Sequence, residues 1–176
     1  MSKPIVIFEG CDGAGKTTLA RITARRLNAV YTHHGTYTGL DASHLMSVYS
    51  MSILPALCDA APVVLDRAWH SELIYGRVFR GGIDRLGIRA DALELLRLSV
   101  PSLLVVVEAT FEEEWRTVNV RASEELAKRR EQLECIHTGY QAAIWPDDVL
   151  RLPRDGRTPE LLLEIVLAAL AWRMEA

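Results

Sequence analysis

Short apolar runs alternate along this chain with longer stretches in which apolar residues recur every three or four positions. Pro4-Ile5-Val6-Ile7-Phe8 is continuously apolar, the pattern of a strand buried on both faces. A glycine-rich turn follows, and then a helix over 17–28 with Leu19, Ile22 and Leu27 toward the core and Asn28 as a left-handed stop. Residues 29–32 predict a second strand. The segment 41–60 predicts a helix with Leu45, Val48 and Met51 or Ser52 on one side. Pro62-Val63-Val64-Leu65 predicts a strand ending in Asp66, followed by a helix over 69–79.

The second half repeats the alternation. Asp91 and Glu94 have capping-box spacing and open a helix that stops before Pro101. Leu103 to Val107 is the clearest strand. Thr110 and Glu113 form a second capping box at the head of a charged helix. Leu126, Leu133, Ile136, Tyr140 and Ile144 share one helical face. Residues 149–152 predict a last strand, and Thr158-Pro159 caps a final helix running nearly to residue 176. This order predicts an α/β fold of three layers: a mainly parallel, five-stranded sheet with helices on both faces. Its chemistry is expected at the carboxyl ends of strands, after Phe8, Leu65 and Val107.

Composition narrows the class. The 176 residues are 49% hydrophobic and lack repeats or a linker rich in Pro, Gly and Ser, so a single domain over 1–176 is expected. Lys plus Arg is 20 against 23 Asp plus Glu, a net charge of −3 that argues against a nucleic-acid-binding protein. No apolar run approaches the roughly 18 residues of a membrane span, and no secretory signal opens the chain. Cys11, Cys58 and Cys135 form no Cys-x-x-Cys pair, so neither a disulfide framework nor a structural zinc site is indicated by spacing. A cytoplasmic location is expected, or the host cytoplasm for a phage protein.

One motif carries specific chemistry. Gly10-Cys11-Asp12-Gly13-Ala14-Gly15-Lys16-Thr17 fits G-x-x-x-x-G-K-[ST] between a buried strand and a helix. Such a loop turns backbone N–H groups onto a polyphosphate at the positive end of a helix. Lys16 supplies a cation for the outer phosphates and Thr17 a hydroxyl for Mg²⁺. Gly10, Asp12, Gly13, Ala14, Gly15, Lys16, Thr17 and Thr18 are therefore the candidate ATP-binding residues. The strand at 103–107 is followed by Glu108-Ala109-Thr110 rather than Asn-Lys-x-Asp, which speaks against a GTPase.

Phe8 to Thr18, together with Asp66-Arg67-Ala68-Trp69-His70-Ser71-Glu72-Leu73-Ile74-Tyr75, resembles the phosphate loop and Asp-Arg motif of the thymidylate kinase family. Pro101 and the arginine-bearing segment from Arg116 to Arg130 also sit where that family has equivalents. Three features depart from it. Thr32-His33-His34-Gly35-Thr36-Tyr37 stands in place of Arg-Glu-Pro-Gly, Gly76 in place of a glutamine, and the helix over 41–60 has no arginine. The pattern is nearer to divergent, phage-type relatives.

The resemblance implies roles. Asp66 helps to hold Mg²⁺ or its waters; the alternative is an ion pair with Arg67. Arg67 grips the acceptor phosphate with its fork. Asp12 accepts from the acceptor's 3′-hydroxyl, and Ser71, Tyr75 and His34 are further acceptor-site candidates. His33 and His34 do not read as a metal pair, because neighbours on a strand point to opposite faces. The segment 112–130 is a lid contributing an arginine, with Arg116 and Arg121 as the candidates. Lys16, Asp66, Arg67 and a lid arginine would form the catalytic set. The activity implied is ATP- and Mg²⁺-dependent phosphoryl transfer to a nucleoside monophosphate, dTMP or a related pyrimidine deoxynucleotide. A kinase for a deoxynucleoside or a modified-base hydroxyl is the alternative, followed by a nucleotide-binding module without catalysis. A homodimer through the apolar face of 41–60 is a further expectation.

Overall fold

The computed structural model describes residues 3–35, 37, 39–119 and 126–175. Five strands form one parallel sheet: β1 (Ile5–Glu9), β2 (Val30–His33), β3 (Val63–Asp66), β4 (Ser102–Glu108) and β5 (Leu150–Pro153). Their order across the sheet is β2-β3-β1-β4-β5, and every pairing is parallel. The helices are α1 (Lys16–Leu27), α2 (Ala42–Leu57), α3 (Ser71–Phe79), α4 (Arg89–Leu98), α5 (Phe111–Asn119), α6 (Leu126–Ala142) and α7 (Pro159–Glu175). None of the described helices is long and apolar enough to cross a membrane.

The continuous apolar runs have the burial they predict. β1, β3 and nearly all of β4 are buried, and alternate residues serve opposite faces. Val6, Phe8, Val64, Val105 and Val107 pack with α1 and α7 residues Leu19, Leu162 and Val166. Ile5, Ile7, Val63, Leu65 and Leu104 pack with Leu45, Tyr49, Ile53 and Leu93 from α2 and α4. Helices thus cover both faces, as the alternation of elements predicts.

Caps fix several helix ends. Asn28 closes α1 in the left-handed conformation, φ 50°. Thr110 and Glu113 form the expected reciprocal box, with the Thr110 N–H donating to Glu113 Oε2 at 2.9 Å and the Glu113 N–H to Thr110 Oγ1 at 3.3 Å.

Four expectations are corrected. α4 begins at Arg89, so Asp91 lies inside its first turn rather than capping it. Glu94 is drawn to Arg97, His70 and Trp69 instead. α3 begins at Ser71, two residues late, because Arg67 takes a left-handed φ of 72° that turns the chain. The buried stripe of α2 is Leu45, Tyr49, Ile53 and Ala56, at spacings of four, four and three, while Met51 is 64% exposed. Finally, α6 ends at Ala142 and Ile144 is fully exposed, since Pro146 disfavours helix at Trp145.

Candidate active site

The phosphate loop is pressed onto β4 and α5. A Cβ on Gly10 would lie 2.5 Å from the Val107 carbonyl oxygen, and one on Gly13 would lie 2.4 Å from that of Glu114. Both glycines also have positive φ, 143° and 86°, so this path admits no side chain at either position. Gly15 caps α1 with φ 96° and no side-chain cap, leaving the helix N–H groups available for an anion.

Lys16 is buried and its Nζ donates to the Cys11 carbonyl at 3.1 Å, with Asp12 Oδ1 at 3.6 Å. Burial and the Arg67 guanidinium pull its pKa down, against the pull of Asp12, Asp66 and Glu9. Thr17 is half-buried, and Thr18 beside it in the first turn of α1 is exposed. A pocket of about 100 Å³ beside the loop is lined by Ala14, Gly15, Thr18, Arg154 and Arg157. Arg154 Nη1 reaches the Gly13 carbonyl at 3.4 Å. Arg154 and Arg157 escape the sequence reading because nothing local joins the turn after β5 to the loop after β1.

Arg67 lies behind β3 and is buried. Its N–H donates to the Phe8 carbonyl at 2.9 Å, Nη1 donates to Tyr140 Oη at 2.9 Å, and Nη2 pairs with Asp12. Its guanidinium also stacks 4.7 Å above the Tyr75 ring. A left-handed φ at a non-glycine residue costs of order 1–3 kcal/mol and persists where neighbours over-determine it. Glu9 does so here. This fully buried carboxylate accepts from the Ala68 N–H at 2.9 Å, Ser71 Oγ at 2.6 Å and Tyr140 Oη at 2.9 Å. Ser71 is thus placed beneath Arg67 as part of the Glu9 support, with its hydroxyl proton engaged. Glu9 stands in the sequence as a charge ending an apolar strand, as Asp66 and Glu108 do, but its partners are not local.

Asp12 takes three contacts on its carboxylate: Arg67, Lys16 and the Tyr75 hydroxyl at 3.1 Å. Burial would raise its pKa, yet Arg67 and Lys16 outweigh that and hold it below the usual carboxylate range. Asp66 is fully buried. Its Oδ2 accepts from Tyr31 Oη at 3.0 Å and meets His33 Nδ1 at 2.7 Å, while Oδ1 has no hydrogen-bond partner. The Asp66–Arg67 ion pair held open as an alternative is therefore not formed; Arg67 pairs with Asp12. The free, buried carboxylate oxygen of Asp66 suits a hard cation or a water held by one.

On the far side of Asp12 opens a cleft of about 480 Å³, lined by Asp12, Tyr37, Gly39, Tyr75, Phe79, Arg80 and Arg85. Buried Glu72 organises it. It accepts from Arg80 Nη2 at 2.9 Å and from Arg85 Nη2 at 2.9 and 3.1 Å. Arg85 also donates to the carbonyls of Tyr37 and Leu40, tying the loop after β2 to α3. Gly76 makes this possible: a Cβ there would lie 2.3 Å from the Ile83 carbonyl oxygen. The position that departs from the resemblance is thus where the 80–88 loop folds back onto α3 and brings in two arginines that α2 lacks. His34 is buried, its Nδ1 2.7 Å from Tyr37 Oη, and lines a small neighbouring cavity with Arg67, Ser71 and Tyr75. Arg116 is exposed on α5, and Arg121 lies outside the described residues.

No family model matches the chain. Two curated proteins named "Probable thymidylate kinase" are similar to it. That of Methanococcus aeolicus is 23% identical over 178 residues, covering 86% of this chain and 83% of its own. That of Methanococcus vannielii is 26% identical over 141 residues, covering 68% and 67%. Among solved structures, the YorR protein of Bacillus subtilis in complex with phosphorylated GDP superposes with a TM-score of 0.77 at 15% identity, over 98% of each chain. Thymidylate kinase from Ehrlichia chaffeensis gives 0.58 at 20% identity, over 97% of this chain and 100% of that one. Deoxyadenosine kinase from M. mycoides with bound dATP gives 0.60 at 15% identity, over 95% and 99%. At these identities the superpositions speak for the fold, which is that of P-loop kinases.

Proposed function

Because the chain is thymidylate kinase-like in sequence and fold, we propose that it transfers the terminal phosphoryl group of ATP to the phosphate of a nucleoside monophosphate. The acceptor is a pyrimidine deoxynucleotide, dTMP or a close relative. The observation that carries this reading is the convergence of Lys16 and Arg67 on Asp12, between the phosphate loop and the cleft. Two cations meet there, where a donor and an acceptor phosphate have to be brought together.

The loop and Lys16 hold the donor phosphates, and the pocket at Arg154 and Arg157 takes the rest of the ATP. Arg67 leaves Asp12 for the acceptor phosphate, which its fork binds bidentately. Glu9, Ser71 and Tyr140 keep Arg67 in place. Thr17 and Asp66 would hold Mg²⁺, which supplies charge neutralisation at the phosphates. Acceleration comes from alignment and charge, with no covalent intermediate.

The carboxylates favour a phosphate acceptor over a hydroxyl. A hydroxyl needs a general base. Glu9, Asp12 and Glu72 are each engaged by several donors, and Asp66, held by His33 and Tyr31 on Oδ2, has only Oδ1 open, the oxygen assigned to Mg²⁺. A phosphate is already ionised and needs none of them. In the cleft, Tyr37, Tyr75 and Phe79 offer faces for a planar base. Arg80 and Arg85 donate but never accept, which suits a base bearing carbonyl oxygens.

The test is ADP release across a panel of the deoxynucleoside monophosphates and their parent nucleosides. ADP should accumulate only with a monophosphate and fastest with a keto pyrimidine. Faster turnover of a nucleoside would support the hydroxyl-kinase alternative.

A further inference from the structure

Cys11, Glu114 and His137 come from three separate elements: the phosphate loop, α5 and α6. Their ligand atoms all lie within 4.8 Å of one another. Glu114 Oε2 is 2.8 Å from His137 Nδ1, and Cys11 Sγ faces the Leu133 carbonyl at 3.9 Å. Cys11 and Glu114 are buried and His137 is only 20% exposed. The phosphoryl-transfer scheme uses none of these three side chains.

A thiol, a carboxylate and an imidazole together are a donor set for Zn²⁺ rather than Mg²⁺, which prefers oxygen ligands in an octahedron. With Cys11 as thiolate, the set carries two negative charges and a neutral ring, matching a divalent cation. We propose that Cys11, Glu114 and His137 bind one Zn²⁺ that clasps the phosphate loop to α5 and α6. On binding, the Cys11 thiol loses its proton to solvent, and the proton between Glu114 and His137 leaves their hydrogen bond for the other ring nitrogen, Nε2, or for solvent, which frees a carboxylate oxygen and a neutral imidazole nitrogen for the metal. Three protein ligands leave the fourth tetrahedral position to water.

The electrostatics agree with this geometry. Burial, and then the Glu114 carboxylate, push the Cys11 thiol up. Burial also raises Glu114 against the hydrogen bonds from Cys11 and His137. Two anions are disfavoured there without a cation, and Zn²⁺ supplies the missing charge. Occupation also reaches the active site. The Cys11 carbonyl holds Lys16 Nζ, and the Glu114 backbone stands against Gly13. The loaded protein should therefore melt higher and turn over more slowly, because the loop is pinned.

The experiment uses the full chain carrying Cys58→Ser and Cys135→Ser, which removes the two exposed thiols. Co²⁺ alone is titrated as the spectroscopic probe for Zn²⁺. The expected result is a thiolate-to-cobalt band in the near ultraviolet that saturates at one equivalent, is reversed by Zn²⁺ and is untouched by excess Mg²⁺. Cys11→Ala should abolish the band, and His137→Ala should weaken Co²⁺ binding by at least about tenfold. Zn²⁺ should raise the Tm of the parent and not of His137→Ala. No band in the parent background, a band surviving Cys11→Ala, or equal affinity in His137→Ala would each overturn the proposal. Circular dichroism verifies each variant, and His137→Ala, at the edge of the cluster, decides the matter if Cys11→Ala does not fold.

Discussion

Asp12 of the phosphate loop and Arg67 behind β3 form an ion pair that joins the donor cradle to the acceptor cleft. The loop motif itself has no need of a carboxylate, and here the carboxylate serves as the resting partner of the residue assigned to the acceptor phosphate. Tyr75 holds its second oxygen. A carboxylate has about four lone-pair positions, so room remains for the acceptor's 3′-hydroxyl.

That role of Asp12 is tested by pairing a substrate change with a mutation. A 2′,3′-dideoxynucleoside monophosphate lacks one charge-assisted hydrogen bond, worth roughly 1.5–3 kcal/mol, so kcat/KM should fall about ten- to a hundred-fold. In Asp12→Ala the natural and dideoxy substrates should become nearly equal. Undiminished discrimination by the variant removes Asp12 from the sugar.

Lys16 and Arg67 should separate kinetically. Lys16→Ala should retain a native circular dichroism spectrum and lose at least ~10²-fold in turnover, since a charge at the transferring phosphoryl is gone. Arg67→Lys keeps the charge but loses the fork. The KM for the acceptor should then rise more than the KM for ATP. An effect confined to ATP would move Arg67 to the donor side.

Glu72 and Gly76 hold the cleft open in its present shape. Glu72→Gln leaves Arg80 and Arg85 without their counter-charge. The cost should be about 2–3 kcal/mol, below the ~3–5 kcal/mol of a fully buried pair because both guanidinium groups retain some solvent. Acceptor KM should rise with it. Gly76→Ala should raise acceptor KM while ATP KM stays put, because the new Cβ meets the Ile83 carbonyl and displaces the 80–88 loop. Denaturant melts and steady-state kinetics measure both.

His34 should make stability fall in mild acid. Burial first, and then the neighbouring His33, lower its pKa to about 4, beneath the ~6.5 of an unfolded chain. Between those values the unfolded state binds the proton and the folded state does not. Stability is therefore full above about pH 6.5 and declines as the pH falls toward 4. His34→Gln should flatten that part of the curve, as read from Tm at pH 7 and pH 5.

The parallel sheet and the phosphate loop were legible because both are local. Ile5 to Phe8 and Leu103 to Val107 are unbroken apolar runs, and the loop motif lies within eight consecutive residues. The cleft was less legible. Glu72, Arg80 and Arg85 are ordinary charges on a helix and its exit turn until Gly76 lets that turn fold back. Glu9, Ser71 and Tyr140 come from three distant elements. For α2, spacings of three and four were both available, and Tyr49 and Ile53 fill the core where Met51 does not. At Ile144 the apolar period ran on past the point where Pro146 had already stopped the helix.

In the proposed reaction a phosphate, and not a hydroxyl, receives the phosphoryl group. Phosphorus NMR of the product formed from ATP, Mg²⁺ and dTMP tests it most directly. The expected product shows the paired, mutually coupled signals of a nucleoside diphosphate, absent with Lys16→Ala. A monoester signal from a newly phosphorylated hydroxyl, or phosphoryl transfer to thymidine in preference to dTMP, would contradict it.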